Sequence, residues 1–92
     1  MSELRRNLTV VNQRGLHARA SAKFVNAVSA LGEGTSVRVA KGGTEAAGGS
    51  ILGLMMLGAA KGDAIELIVA GDNAEAVMAD LAAMVEDGFG ET

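Results

Sequence analysis

Glycines divide this chain of 92 residues into short segments whose apolar residues recur first at every second position and then at every third or fourth. That switch of period restricts the fold more than any other feature, because period two belongs to strands and period 3.6 to helices. Leu4–Val11 reads as a strand, with Leu8 and Val10 alternating with Thr9 and Val11. Gly15 breaks it. From Ala18 to Leu31 the spacing becomes helical, with Ser21, Phe24, Val25, Val28 and Leu31 on one face and Gly32 and Gly34 as the stop. Thr35–Ala40 alternates again with Val37 and Val39 inward, and Gly42-Gly43 suits a tight hairpin to a partner strand at Thr44–Ala47. Periodicity cannot assign the apolar run Ser50–Leu57, but Ser50 as N-cap and the Leu and Met content favour a short helix over a buried strand. Ala64–Ala70 is the last strand, with Ile65, Leu67 and Val69 on one face. Asp72-Asn73-Ala74-Glu75 predicts a capping box with Asp72 as N-cap. Ala74, Val77, Met78, Leu81 and Val85 then form the stripe of a last helix that Gly88 ends. The order β-α-β-β-α-β-α predicts an α+β two-layer sandwich, an antiparallel sheet covered on one face by helices.

A chain of this length is expected to form one domain over residues 1–92 and to bury roughly 60–70% of its unfolded surface. The 49% hydrophobic content can supply that core. No cysteine is present, so neither a disulfide framework nor a thiolate metal site is available, and a single histidine argues against a histidine-rich zinc site. No secretory h-region and no apolar run near ~18 residues is found, which predicts a soluble cytoplasmic protein that does not enter a membrane. A net charge of −3, with Phe24 and Phe89 as the only aromatics, speaks against nucleic acid as a partner. The charge is nonetheless uneven. Arg5, Arg6, Arg14, Arg19 and Lys23 precede an acidic end bearing Asp80, Glu86, Asp87 and Glu91, which predicts a positive field around the N-terminal part and anionic ligands or acidic surfaces as partners.

The histidine is His17, in the run Arg14-Gly15-Leu16-His17-Ala18-Arg19 between the first strand and the first helix. A helix start presents unpaired N–H groups and the positive end of the dipole, which together make a phosphate site. Ala18 and Arg19 can offer such N–H groups, Gly15 permits a tight approach, and the Arg19 guanidinium fork fits phosphate oxygens.

Gly15-Leu16-His17-Ala18-Arg19 resembles the active-site signature of the HPr family, the histidine phosphocarriers of the bacterial phosphotransferase system. Ser50-Ile51-Leu52-Gly53-Leu54-Met55-Met56-Leu57-Gly58-Ala59-Ala60-Lys61-Gly62-Asp63 resembles the family's second segment. Asn12-Gln13-Arg14-Gly15 and Gly88-Phe89 resemble the nitrogen-related branch. The resemblance implies an open-faced β-sandwich of four antiparallel strands under three helices. It also implies a phosphohistidine at His17 assisted by Arg19, with the backbone of Ala18, Arg19 and Ala20 on the phosphate. Enzyme I would be the donor and an A-type domain of an Enzyme II the acceptor, with no cofactor and no metal. Sugar transport and nitrogen-linked regulation are both open as destinations. Phe24, Ile51, Leu52, Met55 and Met56 would form the docking surface of a monomeric carrier. Ser50 has two readings, a plain N-cap or also a regulatory phosphorylation site for an HPr serine kinase. The family commonly has proline where this chain has Ala20, which leaves an N–H in the first turn that could face phosphate. A non-catalytic regulatory module on the same fold is the rival, and a small-ligand domain lacks the convergent polar residues it would need.

Overall fold

The computed structural model describes residues 3–91 and shows a four-stranded antiparallel sheet with helices packed on one face. The elements are β1 (Glu3–Thr9), α1 (Ala18–Ser29), β2 (Thr35–Lys41), β3 (Thr44–Ala47), α2 (Ile51–Met56), β4 (Ala64–Gly71) and α3 (Ala74–Glu86), followed by a tight turn at Gly88–Gly90. The order β-α-β-β-α-β-α is that read from the sequence. Met1, Ser2 and Thr92, the ends of the expected 1–92 domain, lie outside the described residues.

Strand order is β1-β4-β2-β3, so β4 lies inside the sheet between β1 and β2. Leu8 faces Ile65, and Val37 and Val39 pair with Val69 and Leu67. These side chains meet Phe24 of α1, Leu54 of α2 and Val77, Met78, Leu81 and Val85 of α3 in one core. Full burial of each large aliphatic or aromatic side chain contributes about 1.5–3 kcal/mol. The α3 stripe lies against the sheet at the helical spacing that predicted it.

The other sheet face carries polar residues and alanines, with one large apolar side chain among them. Ile68 points to that face, away from Leu67 and Val69, yet is only 1% exposed. Its neighbours across the ladder are Arg5 and Arg38. Glu3 bonds both arginines, at 2.9 Å to Arg5 and 2.6 Å to Arg38, while Glu66 accepts from Arg5 Nη1 and Glu45 from Arg38 Nη1. The arginine stems thus form a charged strap over an apolar side chain.

Several boundaries differ from expectation. β1 ends at Thr9, because Val10 leaves the ladder to pair with the turn at Gly62-Asp63: its N–H donates to Asp63 (2.9 Å) and its C=O accepts from Gly62 (2.8 Å). α1 ends at Ser29 with Ala30 as a right-handed C-cap, before the glycines that were expected to stop it. Asp72 is not the N-cap of α3. Asn73 holds that position in the left-handed region, and no side chain caps the helix. Asp72 instead ties β4 to the loop before β2, its N–H donating to Gly34 and its C=O accepting from the Thr35 hydroxyl.

Leu67 is fully buried on the inner strand. Leu67→Ala is predicted to lower the unfolding free energy by about 2–5 kcal/mol in urea titrations; a loss below about 1 kcal/mol would contradict this packing.

Candidate functional site

The loop between β1 and α1 is built on the loop between α2 and β4. The Gly15 N–H donates to the Asn12 C=O at 3.2 Å, closing a turn, and the Leu16 N–H donates to the Ala59 C=O at 3.0 Å. Gly15 has φ +61°, and a Cβ there would run into the Ala59 carbonyl oxygen. Only glycine fits both demands. Leu16 is buried and anchors the loop, and the Ser21 hydroxyl, inside α1, donates back to the Leu16 C=O at 3.2 Å.

This places His17 at the N-cap of α1 with extended backbone (φ −76°, ψ −179°). The first helical bond runs from the Ser21 N–H to the His17 C=O at 2.9 Å. The N–H groups of Ala18, Arg19 and Ala20 therefore have no partner within the helix. No side chain caps them, and the first turn holds no acidic residue. Ala20 turns its methyl into the core while its backbone stays in that turn. The positive end of α1 is left available beside an imidazole.

An open cleft of about 610 Å³ lies in front of His17. Arg14, Arg19, Lys23 and Lys61 line it together with Asn12 and Glu91. Of the five N-terminal cations, Arg5 and Arg6 are elsewhere: Arg5 belongs to the strap over Ile68, and Arg6 pairs with Glu86 at 3.6 Å. Lys61, from the loop before β4, joins the cleft instead.

The expected separation of basic and acidic ends is also corrected. Gly88, Phe89 and Gly90 have φ of +63°, +58° and +74°, and the turn brings the following residue back to α1. Glu91 Oε2 lies 2.6 Å from His17 Nε2. Asn12, 5% exposed, donates its Nδ2 to both Glu91 Oε1 (3.0 Å) and the Gly15 C=O (2.8 Å). Lys23 Nζ donates to the Phe89 C=O at 2.6 Å. Positive φ at a non-glycine residue costs about 1–3 kcal/mol, which burial of the Phe89 ring offsets. The Glu91 carboxyl is held below the usual carboxylate range, first by the Asn12 hydrogen bond and then by that of His17, with Lys23 assisting against the opposing effect of burial.

Around α2 the expected docking residues divide. Ile51, Leu52, Met55 and Met56 are exposed, Leu52 and Met56 at 68% and 74%, while Leu54 and Leu57 are buried. Phe24 does not belong to this surface, because its ring fills the core under α1. Ser50 is the N-cap of α2, its Oγ accepting from the Gly53 N–H at 2.9 Å. Asn12, Glu91 and Lys61 are the site residues that sequence reasoning missed. Asn12 stood in the lead-in to the histidine, but nothing in the spacing says that its amide is buried.

The sequence matches the family described as PTS HPr component phosphorylation site over residues 4–87. Phosphocarrier protein HPr of Neisseria meningitidis (strain MC58) is 45% identical over 89 residues, covering 96% of this chain and 97% of the relative. Phosphocarrier protein NPr of Shewanella violacea is 35% identical over 91 residues, covering 99% and 98%. The crystal structure of HPr from Thermoanaerobacter tengcongensis superposes with a TM-score of 0.87 at 33% identity, covering 100% of this chain and 99% of that one.

Two outcomes are expected. Gly15→Ala should lower the unfolding free energy by roughly 2 kcal/mol or more, read by urea denaturation; an unchanged midpoint would contradict the close approach to Ala59. Glu91 titrates lower in the folded than in the unfolded chain, so its stabilisation is complete above the ordinary glutamate range and is lost as pH falls through the folded value. Urea midpoints of the parent should therefore drop more steeply on acidification through that range than those of Glu91→Gln. Parallel curves would rule out the contribution.

Proposed function

The chain belongs to the HPr family of phosphocarriers, and on that premise we propose that His17 carries the phosphoryl group of the phosphoenolpyruvate-dependent phosphotransferase system. It takes the group from Enzyme I and passes it to an A-type domain of an Enzyme II protein. The observation that carries this reading is the placement of the His17 ring at the uncapped start of α1, in a cleft lined by Arg14, Arg19, Lys23 and Lys61. Phosphoryl transfer has a loose transition state that asks mainly for positioning and for stabilisation of spread charge. The Ala18, Arg19 and Ala20 N–H groups supply fixed donors, and Arg19, an exposed residue of the cleft lining, supplies a guanidinium. A neutral imidazole supplies the lone pair. Once phosphorylated, a protonated ring is the better leaving group, so one site can accept and then donate. The protein acts stoichiometrically and does not turn over alone.

Partners dock on the exposed side chains of α2. Ile51, Leu52, Met55 and Met56 form a flexible apolar surface of the kind that adapts to several partners, and the cations of the cleft steer acidic surfaces to it. We read the carrier as a cytoplasmic monomer; no helix among the described residues is long and apolar enough to cross a membrane. Ser50 adds a regulatory site for a serine kinase. Its hydroxyl already caps α2, and a phosphate there would set about 1.5–2 negative charges beside the apolar surface. Relatives named HPr and NPr keep both sugar uptake and nitrogen-linked regulation as destinations, and pairing the purified protein with Enzyme II domains of each kind separates them.

With Enzyme I and phosphoenolpyruvate, the parent should take up acid-labile, base-stable phosphate and His17→Ala none; label retained by His17→Ala would overturn the assignment. Arg19→Ala should slow transfer by about 10- to 150-fold, the equivalent of a charge-assisted hydrogen bond of about 1.5–3 kcal/mol. An unchanged rate would remove Arg19 from the site. Ser50→Asp should accept phosphate more slowly than the parent, and equal rates would end the regulatory reading.

A further inference from the structure

Oxidisable sulfur occupies two different surroundings in this chain. Five methionines are its only sulfur residues, and it has no cysteine, tryptophan or tyrosine. Thioether sulfur is therefore the group that a two-electron oxidant attacks most readily. Met78, on α3, lies in the core at 6% exposure, and Met84 packs against that core partly buried. Met55 and Met56 stand outside on α2, exposed at 40% and 74%, on the same short helix as the exposed Ile51 and Leu52.

The helix does not depend on these two side chains for its place. Leu54 and Leu57 anchor α2 in the core, and the Ser50 hydroxyl caps its start, accepting from the Gly53 N–H at 2.9 Å. An oxygen added to either exposed sulfur meets water and not the core, so the fold accommodates it. A docked partner does not. The sulfoxide puts a strong dipole where a polarisable apolar sulfur stood, and that dipole loses its water when a partner covers it.

We propose that Met55 and Met56 are a peroxide-sensitive modification site, at which oxidation to methionine sulfoxide weakens partner docking and reduction restores it. The consequence for docking rests on the carrier reading; the site itself rests on exposure alone. In the step, a sulfur lone pair forms a bond to one oxygen of a hydroperoxide as the O–O bond breaks. With hydrogen peroxide the departing oxygen takes the proton of the transferred one and leaves as water. Sulfur is oxidised by two electrons and the peroxide is reduced by two. A dithiol reductase reverses the change, giving thioether, disulfide and water. His17 and the cations Arg14, Arg19, Lys23 and Lys61 are untouched, so the carrier is slowed at docking and not at transfer.

The test treats the full-length parent and a Met55→Leu/Met56→Leu double variant with hydrogen peroxide and compares each with its own untreated sample. Peptide mass spectrometry should find an added oxygen on Met55 and Met56 before any on Met78 or Met84. With Enzyme I and phosphoenolpyruvate, oxidation should raise the KM of the parent as phosphoryl acceptor about 5- to 150-fold, the cost of covering a polar group left without a partner, with kcat little changed. Reductases for the two sulfoxide epimers should restore it. The double variant, whatever its own KM, should keep that value after treatment, and circular dichroism should find the treated parent folded. Equal oxidation of Met78 or Met84 overturns the site. An unmoved KM in the oxidised parent, an equal rise in the double variant, or loss of fold on oxidation overturns the docking effect and leaves His17 as carrier. An untreated parent that takes up no phosphate overturns the carrier reading and the docking effect with it, while the order of oxidation still decides the site.

Discussion

The backbone contact between the loop before α1 and the loop before β4 positions everything else at the site. Val10 exchanges hydrogen bonds with Gly62 and Asp63, and Leu16 donates to Ala59. These bonds fix the direction in which the chain enters α1, and so where the helix presents its unpaired N–H groups. They need Gly15 at positive φ with no Cβ against the Ala59 carbonyl. The same clamp brings Lys61 into the cleft. It also places α2, with its exposed leucine and methionines, at the side of the helix that carries His17.

A second constraint comes from the opposite end of the chain. The turn at Gly88–Gly90 uses two glycines, for which positive φ is inexpensive, around Phe89, for which it is not. Burial of the Phe89 ring and the Lys23 bond to its carbonyl hold the strained turn in place. The result is a carboxylate at the one histidine, in a cleft where Arg14, Arg19, Lys23 and Lys61 are the other charged side chains. Charge balance around His17 is therefore set by tertiary return of the chain, and the position of acidic residues along the sequence does not predict it.

What the sequence made legible follows from how local each signal is. Hydrophobic period identified β1, β2, β4, α1 and α3, the Gly42-Gly43 turn pointed to β3, and Ser50 with the Leu and Met content resolved the ambiguous apolar run as α2, because these signals act within a few residues. The boundaries moved where a long-range bond outcompeted a local one: Val10 turned to Asp63, and Asp72 turned to Gly34 and Thr35 and gave up the cap. Ile68 stood on the face that period two assigns to solvent, yet Arg5, Glu3 and Arg38 cover it from three strand positions that meet only in the sheet. Phe24 entered the docking surface only through the family resemblance, whereas its spacing with Ser21 and Val28 marks the core face, where the ring lies. Asn12 and Glu91 had no pattern to reveal them, since their contact joins the two ends of the chain.

The most direct measurement is mapping of the phosphate on the intact protein after incubation with Enzyme I and phosphoenolpyruvate, by mass spectrometry under alkaline conditions that preserve phosphohistidine. The account predicts one phosphoryl group per chain, located on His17. A phosphate on any other residue, or none, would contradict it.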